Sequence, residues 1–284
     1  MSVSVVIPTR DRPLKLERCL GALRGELEVV VVDDGSVEGE RVARVVGEAG
    51  ARLVRLEGRG PAGARNAGVA AAGGEVVCFT DDDCEPAAGW VEALAAPVLA
   101  GEAESAAGRT VVAGDASAAD RAWQAIANEL QRVAASPGSP SPGFAPTCNL
   151  ACSRQLLAEL PFDESFPAAA GEDRDWAARA AERGSAPRLV PDAVVTHRPD
   201  LTAGSFLRQQ YRYGRGAARF RAADSGRGLG SAGFYADLVR AGFTAGVGAG
   251  GLVCLAQLAA ATGIAVERIG SARRTGGYSK SRAH

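Results

Sequence analysis

The segment at residues 76–86 constrains the fold of this chain most, because it joins an apolar run to a cluster of acids. The run Val76–Phe79 is followed by a threonine and then by three consecutive aspartates, Asp81, Asp82 and Asp83. An uninterrupted apolar run of this length is typical of a buried parallel strand. Open α/β sheets bind ligands at the carboxyl ends of their strands, which is where these aspartates stand.

The aspartates favour a divalent cation at this strand end. Three adjacent carboxylates repel one another unless a cation lies between them. Oxygen ligands suit Mg²⁺ or Mn²⁺, which proteins usually share with a substrate phosphate. The alternative interpretation is a solvated acidic turn before the next helix, and the segment alone leaves both open.

Length, charge and cysteine content narrow the class of protein. The 284 residues are enough for one large domain, or for one domain with an appendage. With 32 Lys and Arg against 33 Asp and Glu, the net charge of −1 gives no case for nucleic acid, which we exclude as a partner. Six cysteines without a C-x-x-C pair, several of them in apolar runs, indicate reduced and buried thiols in a cytoplasmic protein.

The first hundred residues alternate predicted strands with predicted helices. The first apolar run, at residues 3–7, is too short for a signal peptide and predicts a strand. In the turn that follows, Asp11 is the predicted N-cap of the first helix, with Pro13 in its first turn. The predicted strands cover residues 3–7, 27–32, 52–56 and 76–79. This spacing predicts right-handed βαβ units and a parallel sheet.

Three of these strands end in polar residues. The ends are Pro8-Thr9-Arg10, Asp33-Asp34-Gly35-Ser36 and the three aspartates at residues 81–83. In a parallel sheet they would line one crevice. Two acidic strand ends, together with the glycine-rich loop at residues 58–63 and Arg65, indicate a nucleotide site. No G-x-G-x-x-G follows the first strand, which argues against a Rossmann dehydrogenase and against a sugar-1-phosphate nucleotidyltransferase.

Seven sequence blocks occur in a fixed order along the chain, at residues 5–10, 30–36, 63–68, 79–86, 149–151, 162–164 and 171–175. Together they resemble the family 2 glycosyltransferases, which are inverting enzymes of the GT-A fold. Any one block is a weak match, but the ordered set is specific. The resemblance covers about residues 3–216.

The resemblance implies the fold class and the domains. We expect an α/β fold of GT-A type, with a Rossmann-like, mostly parallel sheet flanked by helices and a C-terminal helical extension. The catalytic domain would span residues 1–216, with a nucleotide-sugar half at about 1–115 and an acceptor half at about 116–216. Residues 217–284 would form the helical extension and its basic tail.

The resemblance also implies a donor site. Pro8 and Thr9 would line the nucleobase, while Asp34 would accept a hydrogen bond from the base or the ribose. Arg65 would help to hold phosphate, unless it is merely solvated on its helix. The full predicted donor-binding set is Pro8, Thr9, Arg10, Asp34, Arg65, Asn66, Asp81 and Asp82.

A D-x-D motif maps to Asp81 and Asp83, and the resemblance implies that Asp83 binds a Mg²⁺ or Mn²⁺ ion. Asp81 or Asp82 would face the ribose. His197, which ends a later apolar strand, is either a further metal ligand or a satisfied polar group. The predicted metal set is therefore Asp83, Asp81 and His197. A cation there would stabilise the leaving nucleoside diphosphate.

Glu172 and Asp173 begin a predicted helix on the acceptor side. The helix macrodipole alone would favour acids at this position. The resemblance makes Asp173 the general base, which takes a proton from the acceptor hydroxyl as that hydroxyl attacks the anomeric carbon. Glu172 would position the acceptor or share this role, and attack opposite the diphosphate would invert the configuration.

Three later segments have less specific patterns. A Ser/Pro/Gly run at residues 136–143 is read as a mobile acceptor loop or as a plain surface loop. Arg208, Arg212, Arg215 and Arg219 recur at helical spacing, and the ridge would close the donor site, face solvent or rest on anionic lipid. Residues 242–266 carry no charge and would pack on the domain, lie on a membrane or span it.

The sequence therefore predicts a metal-dependent inverting glycosyltransferase. Its donor would be a nucleotide-diphosphate sugar, with a UDP-sugar favoured, and its acceptor a hydroxyl of a glycan, a lipid-linked molecule or a small molecule. We expect a cytoplasmic location at the inner face of the plasma membrane, with peripheral membrane contact through residues 205–284. The alternative is a non-catalytic nucleotide-sugar-binding or membrane-associated scaffold of the same fold.

Overall fold

The structure is a computed structural model that describes residues 2–134, 144–166, 171–222 and 231–280. The chain forms two compact units, one of residues 1–116 and 130–199 and the other of residues 117–129 and 200–284. The predicted division between residues 1–216 and 217–284 stays a prediction. The acceptor loop predicted at residues 136–143 lies outside the described residues.

Strands and helices alternate through the first eighty residues, as the sequence predicts, and a short strand that was not predicted then precedes the next helix. The elements are β1 (Val3–Thr9), α1 (Pro13–Ala22), β2 (Glu28–Asp33), α2 (Gly39–Glu48), β3 (Arg52–Arg55), α3 (Gly60–Ala71), β4 (Val76–Phe79), β5 (Cys84–Pro86) and α4 (Trp90–Leu99). Each of the four predicted strands is confirmed, because apolar runs of this kind have few alternatives to a buried strand.

The rest of the chain adds three strands and six helices among the described residues. These are β6 (Ser105–Val112), α5 (Ala118–Ala134), β7 (Leu150–Ser153), α6 (Arg154–Glu159), α7 (Glu172–Glu182), β8 (Arg188–His197), α8 (Ala203–Ala222), α9 (Ala232–Thr244) and α10 (Val247–Lys280). A 3₁₀ turn, Thr147–Asn149, precedes β7.

One eight-stranded sheet has the order β3-β2-β1-β4-β7-β6-β8-β5. The half built from β3, β2, β1 and β4 is parallel, as expected from its βαβ connections. Strand β7 runs antiparallel to both of its neighbours, β4 and β6, and β5 runs antiparallel to β8. The sheet is therefore mixed, with its parallel half carrying the three polar strand ends.

Both faces of this sheet are covered by apolar packing. Val5 and Ile7 of β1 face one core, together with Leu16 of α1 and Leu94 of α4. Val6, between them, faces the opposite core with residues of α3, α6 and α7. The alternation of side chains along a strand explains this division.

The start of α1 differs from the prediction. Arg12, not Asp11, is the residue before the first helical turn, and Pro13 is the first helical residue. Asp11 has a left-handed backbone with φ +57°, which Asp tolerates better than most residues. Its Oδ1 accepts a hydrogen bond from the Val37 amide at 2.7 Å, so the side chain supports the turn after β2 instead.

The second unit is helical. Its core includes Phe206 of α8, Leu238 of α9 and Val253 of α10. Helices α8 and α10 approach closely where Gly214 meets Ala260, since a Cβ on that glycine would collide with the Ala260 carbonyl.

The uncharged run at residues 242–266 is divided between two helices. Helix α9 ends at Thr244 and α10 begins at Val247, with Gly246 at φ +134° between them. Within α10, the segment Val247–Gly270 is long and apolar enough to cross a membrane. Its most apolar stretch has a mean hydropathy of 1.8, and 28% of that stretch is buried inside the protein.

Candidate active site

Three strand ends meet at Thr9, as the sequence predicts. The register of β1 and β2 places Thr9 beside Asp33, and the Asp34 amide donates to the Thr9 carbonyl at 2.9 Å. On its other side β1 pairs with β4 so that Val6 lies opposite Phe79. Thr9 is three residues after Val6, and Asp82 is three residues after Phe79, just beyond the end of β4. The Thr9 hydroxyl donates a hydrogen bond to Asp82 Oδ2 at 2.7 Å.

Arg12 holds two of the three aspartates. Its Nη1 lies 3.1 Å from Asp82 Oδ1 and 3.1 Å from Asp83 Oδ2. Both carboxylates are largely buried, whereas about half of the Arg12 side chain is exposed. A single cation therefore neutralises part of the charge on the aspartate run.

The pairing of β5 with β8 brings His197 to Asp83. Cys84 lies opposite His197 in this antiparallel pair, so the residue before Cys84 reaches the imidazole. His197 Nε2 lies 3.3 Å from Asp83 Oδ1, and the Arg198 amide donates to the Asp83 carbonyl at 2.8 Å. The sequence left two interpretations of His197 open, a metal ligand or a satisfied polar group. Its contact with Asp83, the predicted metal ligand, is compatible with both.

The neighbouring aspartates have different proton affinities. Burial and the adjacent Asp83 carboxylate raise the pKa of Asp82 to about 7. Burial acts in the same direction on Asp83, but the His197 and Arg12 cations outweigh it and lower the pKa of Asp83 to about 2. For His197, burial lowers the pKa, and the Asp83 carboxylate more than compensates, so that the pKa is raised.

The donor atoms at this position fit a divalent cation. An Asp83 oxygen, a His197 nitrogen and the Cys84 sulfur lie within 4.8 Å of one another. A cysteine sulfur is a soft ligand, whereas Mg²⁺ and Mn²⁺ prefer oxygen ligands, so Cys84 is the least suitable of the three donors for such an ion. Asp83 and His197 are the oxygen and nitrogen donors of this group, and binding of a metal ion by Asp83, Asp81 and His197 stays a prediction.

The remaining donor-side residues have varied surroundings. Pro8 is partly buried in β1, whereas the Arg10 side chain is 57% exposed and lies 3.8 Å from an Asp11 oxygen. The two Asp34 carboxylate oxygens accept hydrogen bonds from the Arg59 and Gly60 amides at 2.7 and 2.8 Å. Asp34 therefore satisfies amides at the start of α3, as an N-terminal acid does.

Asn66, in the second turn of α3, fastens the helix to the segment before α7. Its amide nitrogen donates to the Phe162 carbonyl at 2.9 Å and to Glu164 Oε1 at 3.0 Å. Its amide oxygen accepts from the Phe162 amide at 3.0 Å. Its predicted contact with the donor stays a prediction.

Arg65 connects the aspartate run to the acidic pair. Its Nη2 donates to Asp81 Oδ1 at 3.2 Å, and its Nη1 donates to Glu172 Oε1 at 3.1 Å. The side chain is buried, in contrast to the solvated helix position considered from the sequence. Its predicted contact with phosphate stays a prediction.

The acidic pair begins α7, directly after Gly171, which has φ +110°. Glu172 is buried, and Asp173 Oδ1 accepts a hydrogen bond from the Arg174 amide at 2.8 Å. Burial and the Glu172 charge raise the pKa of Asp173 to about 7. A carboxylate with this pKa can take up a proton near neutral pH.

The sequence reasoning missed Arg12. The predicted donor-binding set contains Arg10, whose contact with the donor stays a prediction, but it does not contain Arg12, whose guanidinium lies 3.1 Å from both Asp82 and Asp83. The proline at position 13 was an available signal, because proline favours the first helical position and so places Arg12 in the loop between β1 and α1, at the carboxyl end of a strand.

A match to the family model described as "Glycosyl transferase family 2" covers residues 4–159. Among curated relatives, the pre-mycofactocin glycosyltransferase of Mycobacterium tuberculosis is 31% identical over 223 residues, which are 76% of this chain and 47% of the relative. The chain thus spans about half the length of that relative. Glycosyltransferase AglE of Haloferax volcanii is 28% identical over 233 residues, which are 75% of this chain and 72% of the relative.

Solved structures show the same fold. Glucosyl-3-phosphoglycerate synthase of Mycobacterium tuberculosis, in complex with Mn²⁺, UDP and glucosyl-3-phosphoglycerate, matches with a TM-score of 0.59 and 23% identity over 82% of both chains. TarS of S. aureus in complex with UDP matches with a TM-score of 0.52 and 18% identity, over 84% of this chain and 70% of that one. The predicted GT-A type of fold is confirmed.

The family match extends over more than half of the chain and includes the strand ends at Thr9, Asp34 and Asp81. Its boundaries also take in α3 with Arg65 and Asn66. This chain belongs to glycosyl transferase family 2.

Proposed function

We propose that the protein is a metal-dependent inverting glycosyltransferase that uses a nucleotide-diphosphate sugar, with a UDP-sugar favoured. The observation that carries the proposal is the meeting of two acidic groups at one sheet edge through Arg65. Relatives named as glycosyltransferases, and a neighbour of the same fold that binds Mn²⁺ and UDP-glucose, support the nature of the reaction and of the donor.

In this proposal the donor lies against the polar strand ends. Pro8, Thr9 and Asp34 would contact the base and ribose, and Asp81 or Asp82 would face the ribose. Asp83 and His197 would hold Mg²⁺ or Mn²⁺, and the cation would neutralise charge on the leaving diphosphate. Neighbours of the same fold that bind Mn²⁺ or Mg²⁺ together with UDP support this assignment.

The acceptor would approach from the side of α7. Asp173 would take the proton from its attacking hydroxyl, which requires an ionised carboxylate near neutral pH, and a pKa of about 7 allows this. Glu172 is held by Arg65 and would keep the acidic pair in place. Attack from the face opposite the diphosphate would invert the anomeric configuration.

A donor screen tests the proposal. The full chain is incubated with UDP-, GDP- and dTDP-sugars in the presence of Mn²⁺ or Mg²⁺, and release of the nucleoside diphosphate is measured with a chelator as the control. We expect release that depends on the cation and is fastest with a UDP-sugar. Nucleotide binding without any release would instead support the non-catalytic scaffold, and absence of both would reject the donor site.

We also propose that the second unit contacts a membrane surface in the cytoplasm. One face of α10 exposes large apolar side chains, which are Val247, Leu255, Leu258, Val266 and Ile269. At 1.5 Å per residue this face is about 33 Å long. A set of basic residues follows in the sequence at Arg268, Arg273, Arg274 and Lys280, which favours anionic headgroups.

The packing of the other face favours a helix that lies on the membrane over one that spans it. Ala249, Val253 and Ala256 are buried within the unit, and the buried Glu267 carboxylate binds Arg215 and Arg219 at 2.8 Å each. A helix that spanned the bilayer would lose these contacts. Glu267 would then lie in lipid without its arginine partners, which is energetically costly.

Vesicle sedimentation distinguishes the interpretations of α10. The full chain should bind vesicles that contain anionic phosphatidylglycerol, and Leu258→Glu should reduce binding about tenfold, since one large apolar contact is lost and a repelled charge is gained. Glu48→Gln, at an exposed position on α2, is the control. If Leu258→Glu leaves vesicle binding unchanged but converts a dimer to a monomer in light scattering, the face binds a second copy of the chain instead.

A further inference from the structure

Arg65 links two carboxylates of the site that belong to different segments of the chain. Its two terminal nitrogens donate to different carboxylates, Asp81 at the end of β4 and Glu172 at the start of α7. The side chain is only 4% exposed, and Glu172 is equally buried. A buried guanidinium between two carboxylates is far more constrained than an exposed ion pair.

Aromatic packing supports this guanidinium on one side. The Arg65 Cζ lies 5.9 Å from the centre of the Phe162 ring. Phe162 in turn contacts Phe79 of β4 edge-on and stacks on Trp176 of α7, with ring centres 5.6 Å apart in both pairs. The ring beneath Arg65 is therefore supported by the same two elements whose acids Arg65 binds.

The geometry suits an arginine and not a lysine. A guanidinium is a planar fork, so its two terminal nitrogens hold their acceptors at a set separation, whereas an ammonium is a point charge on a flexible stem. As long as both bonds persist, Asp81 and Glu172 cannot shift independently. Asp173 follows Glu172 in the first turn of α7 and shares this restriction.

We propose that Arg65 is a positioning residue, which sets the general base on α7 at a fixed distance from the sugar bound at the end of β4. The inference rests on the proposed function, because it takes Asp173 as the base and the aspartate run as the donor site. It differs from the phosphate contact predicted for Arg65, since both terminal nitrogens already bind carboxylates.

Two consequences separate positioning from donor binding. Loss of the fork should lower kcat, because the base is no longer aligned with the acceptor hydroxyl, and should leave the donor KM nearly unchanged. Loss of the positive charge should also make Asp173 harder to ionise, since the Arg65 charge lowers the pKa of Asp173. The acid limb of the pH–rate profile should then move to higher pH.

The test compares Arg65→Lys and Arg65→Gln with wild type, and uses Arg183→Gln as the matched control. Arg183 ends the same helix in an exposed ion pair with Glu159 at 2.6 Å, so the control removes an equal charge from an arginine–carboxylate pair outside the site. We expect Arg65→Gln to lower kcat about 100-fold, with donor KM within threefold and the acid limb shifted upward. Arg65→Lys should keep the wild-type acid limb yet remain about tenfold slower, because it restores the charge without the fork.

Further readouts keep the inference open to rejection. A donor KM raised tenfold or more at unchanged kcat would show that Arg65 binds the donor and would overturn the proposal. Thermal unfolding checks that each variant folds. Should Arg65→Gln fail to fold, wild-type kcat in Arg65→Lys would be sufficient to reject the positioning role.

One measurement does not depend on turnover. Carbon NMR of the donor-free protein, with the Asp173 carboxyl signal identified by its loss in Asp173→Asn, gives the pKa of Asp173 directly. A rise in Arg65→Gln and no change in Arg183→Gln is the expected result, even if no donor supports transfer and the proposed function fails. An unshifted Asp173 signal in Arg65→Gln would reject the inference whether or not transfer is observed.

Discussion

The aspartate run after β4 and the acidic pair at the start of α7 lie at the same sheet edge, yet their charges are balanced differently. Asp83 is held by His197 and Arg12, and its pKa falls to about 2. Asp173 accepts a hydrogen bond from the Arg174 amide, and burial together with the adjacent Glu172 charge raises its pKa to about 7. One acid is suited to remain ionised, and the other to exchange a proton near neutral pH.

This contrast fits the different roles proposed for Asp83 and Asp173. Sites that use two carboxylates for different roles push their pKa values apart through their surroundings. A permanently ionised Asp83 is a suitable cation ligand, and Asp173 is a suitable base. Asp82 lies beside Asp83 in the aspartate run and accepts a hydrogen bond from Thr9. Its pKa of about 7, however, is similar to that of Asp173.

The largest effect should come from Asp173→Asn. The amide keeps the size and the hydrogen bond from the Arg174 amide but cannot accept a proton, so kcat should fall on the order of 10³-fold. Donor affinity, measured by calorimetry with Mn²⁺, should stay within twofold. Asp192→Asn, which removes an exposed charge on β8, is the control. Unchanged turnover would transfer the role of base to another group.

Asp83→Asn should have the next largest effect, and on the opposite half of the comparison. An amide oxygen is a much weaker ligand than a carboxylate, so donor binding in Mn²⁺ should weaken by about 100-fold. The ion pair with His197 is lost at the same time. Asp115→Asn, an exposed acid paired with Arg198, gives the control. Equal donor affinity with and without a chelator in wild type would contradict the role of Asp83.

The pH dependence separates the two groups without a mutation. Since Asp173 must be ionised to act as a base, kcat should fall about tenfold for each pH unit below about 7. Asp82 titrates in the same range, so donor affinity is measured over the same pH series. A fall in kcat at saturating donor assigns the limb to Asp173, whereas a fall in donor affinity alone assigns it to Asp82.

The sequence allowed most of the donor half to be predicted, because its information is local. Apolar runs identify β1, β2 and β4, and the polar residues directly after them must meet at one edge when those strands are parallel and adjacent. The contact between Thr9 and Asp82 follows from this register. The family resemblance then supplied the roles, which no pattern of apolar residues contains.

Long-range pairing explains what could not be predicted. Strand β7 lies antiparallel between β4 and β6, and local sequence patterns contain no information about this strand order. The same holds for the pairing of Cys84 with His197, which decides that His197 meets Asp83. Contacts between side chains of different elements are equally non-local, and for this reason the sequence did not identify Arg12 as the partner of Asp82 and Asp83.

The smallest expected effect concerns Arg12, which holds the aspartate run together with His197. Arg12 and a metal ion compete for Asp83, since both are cations that bind the same carboxylate. A half-exposed ion pair contributes little, up to about 1 kcal/mol, so Arg12→Gln should tighten Mn²⁺ binding by about two- to fivefold in the absence of nucleotide. Arg41→Gln, which breaks the exposed pair with Glu38 at 3.2 Å, should leave it unchanged. Weaker Mn²⁺ binding in Arg12→Gln would mean that Arg12 aligns Asp83 for the ion instead of competing with it. In that case Asp83 would need the contact with Arg12 in order to bind Mn²⁺.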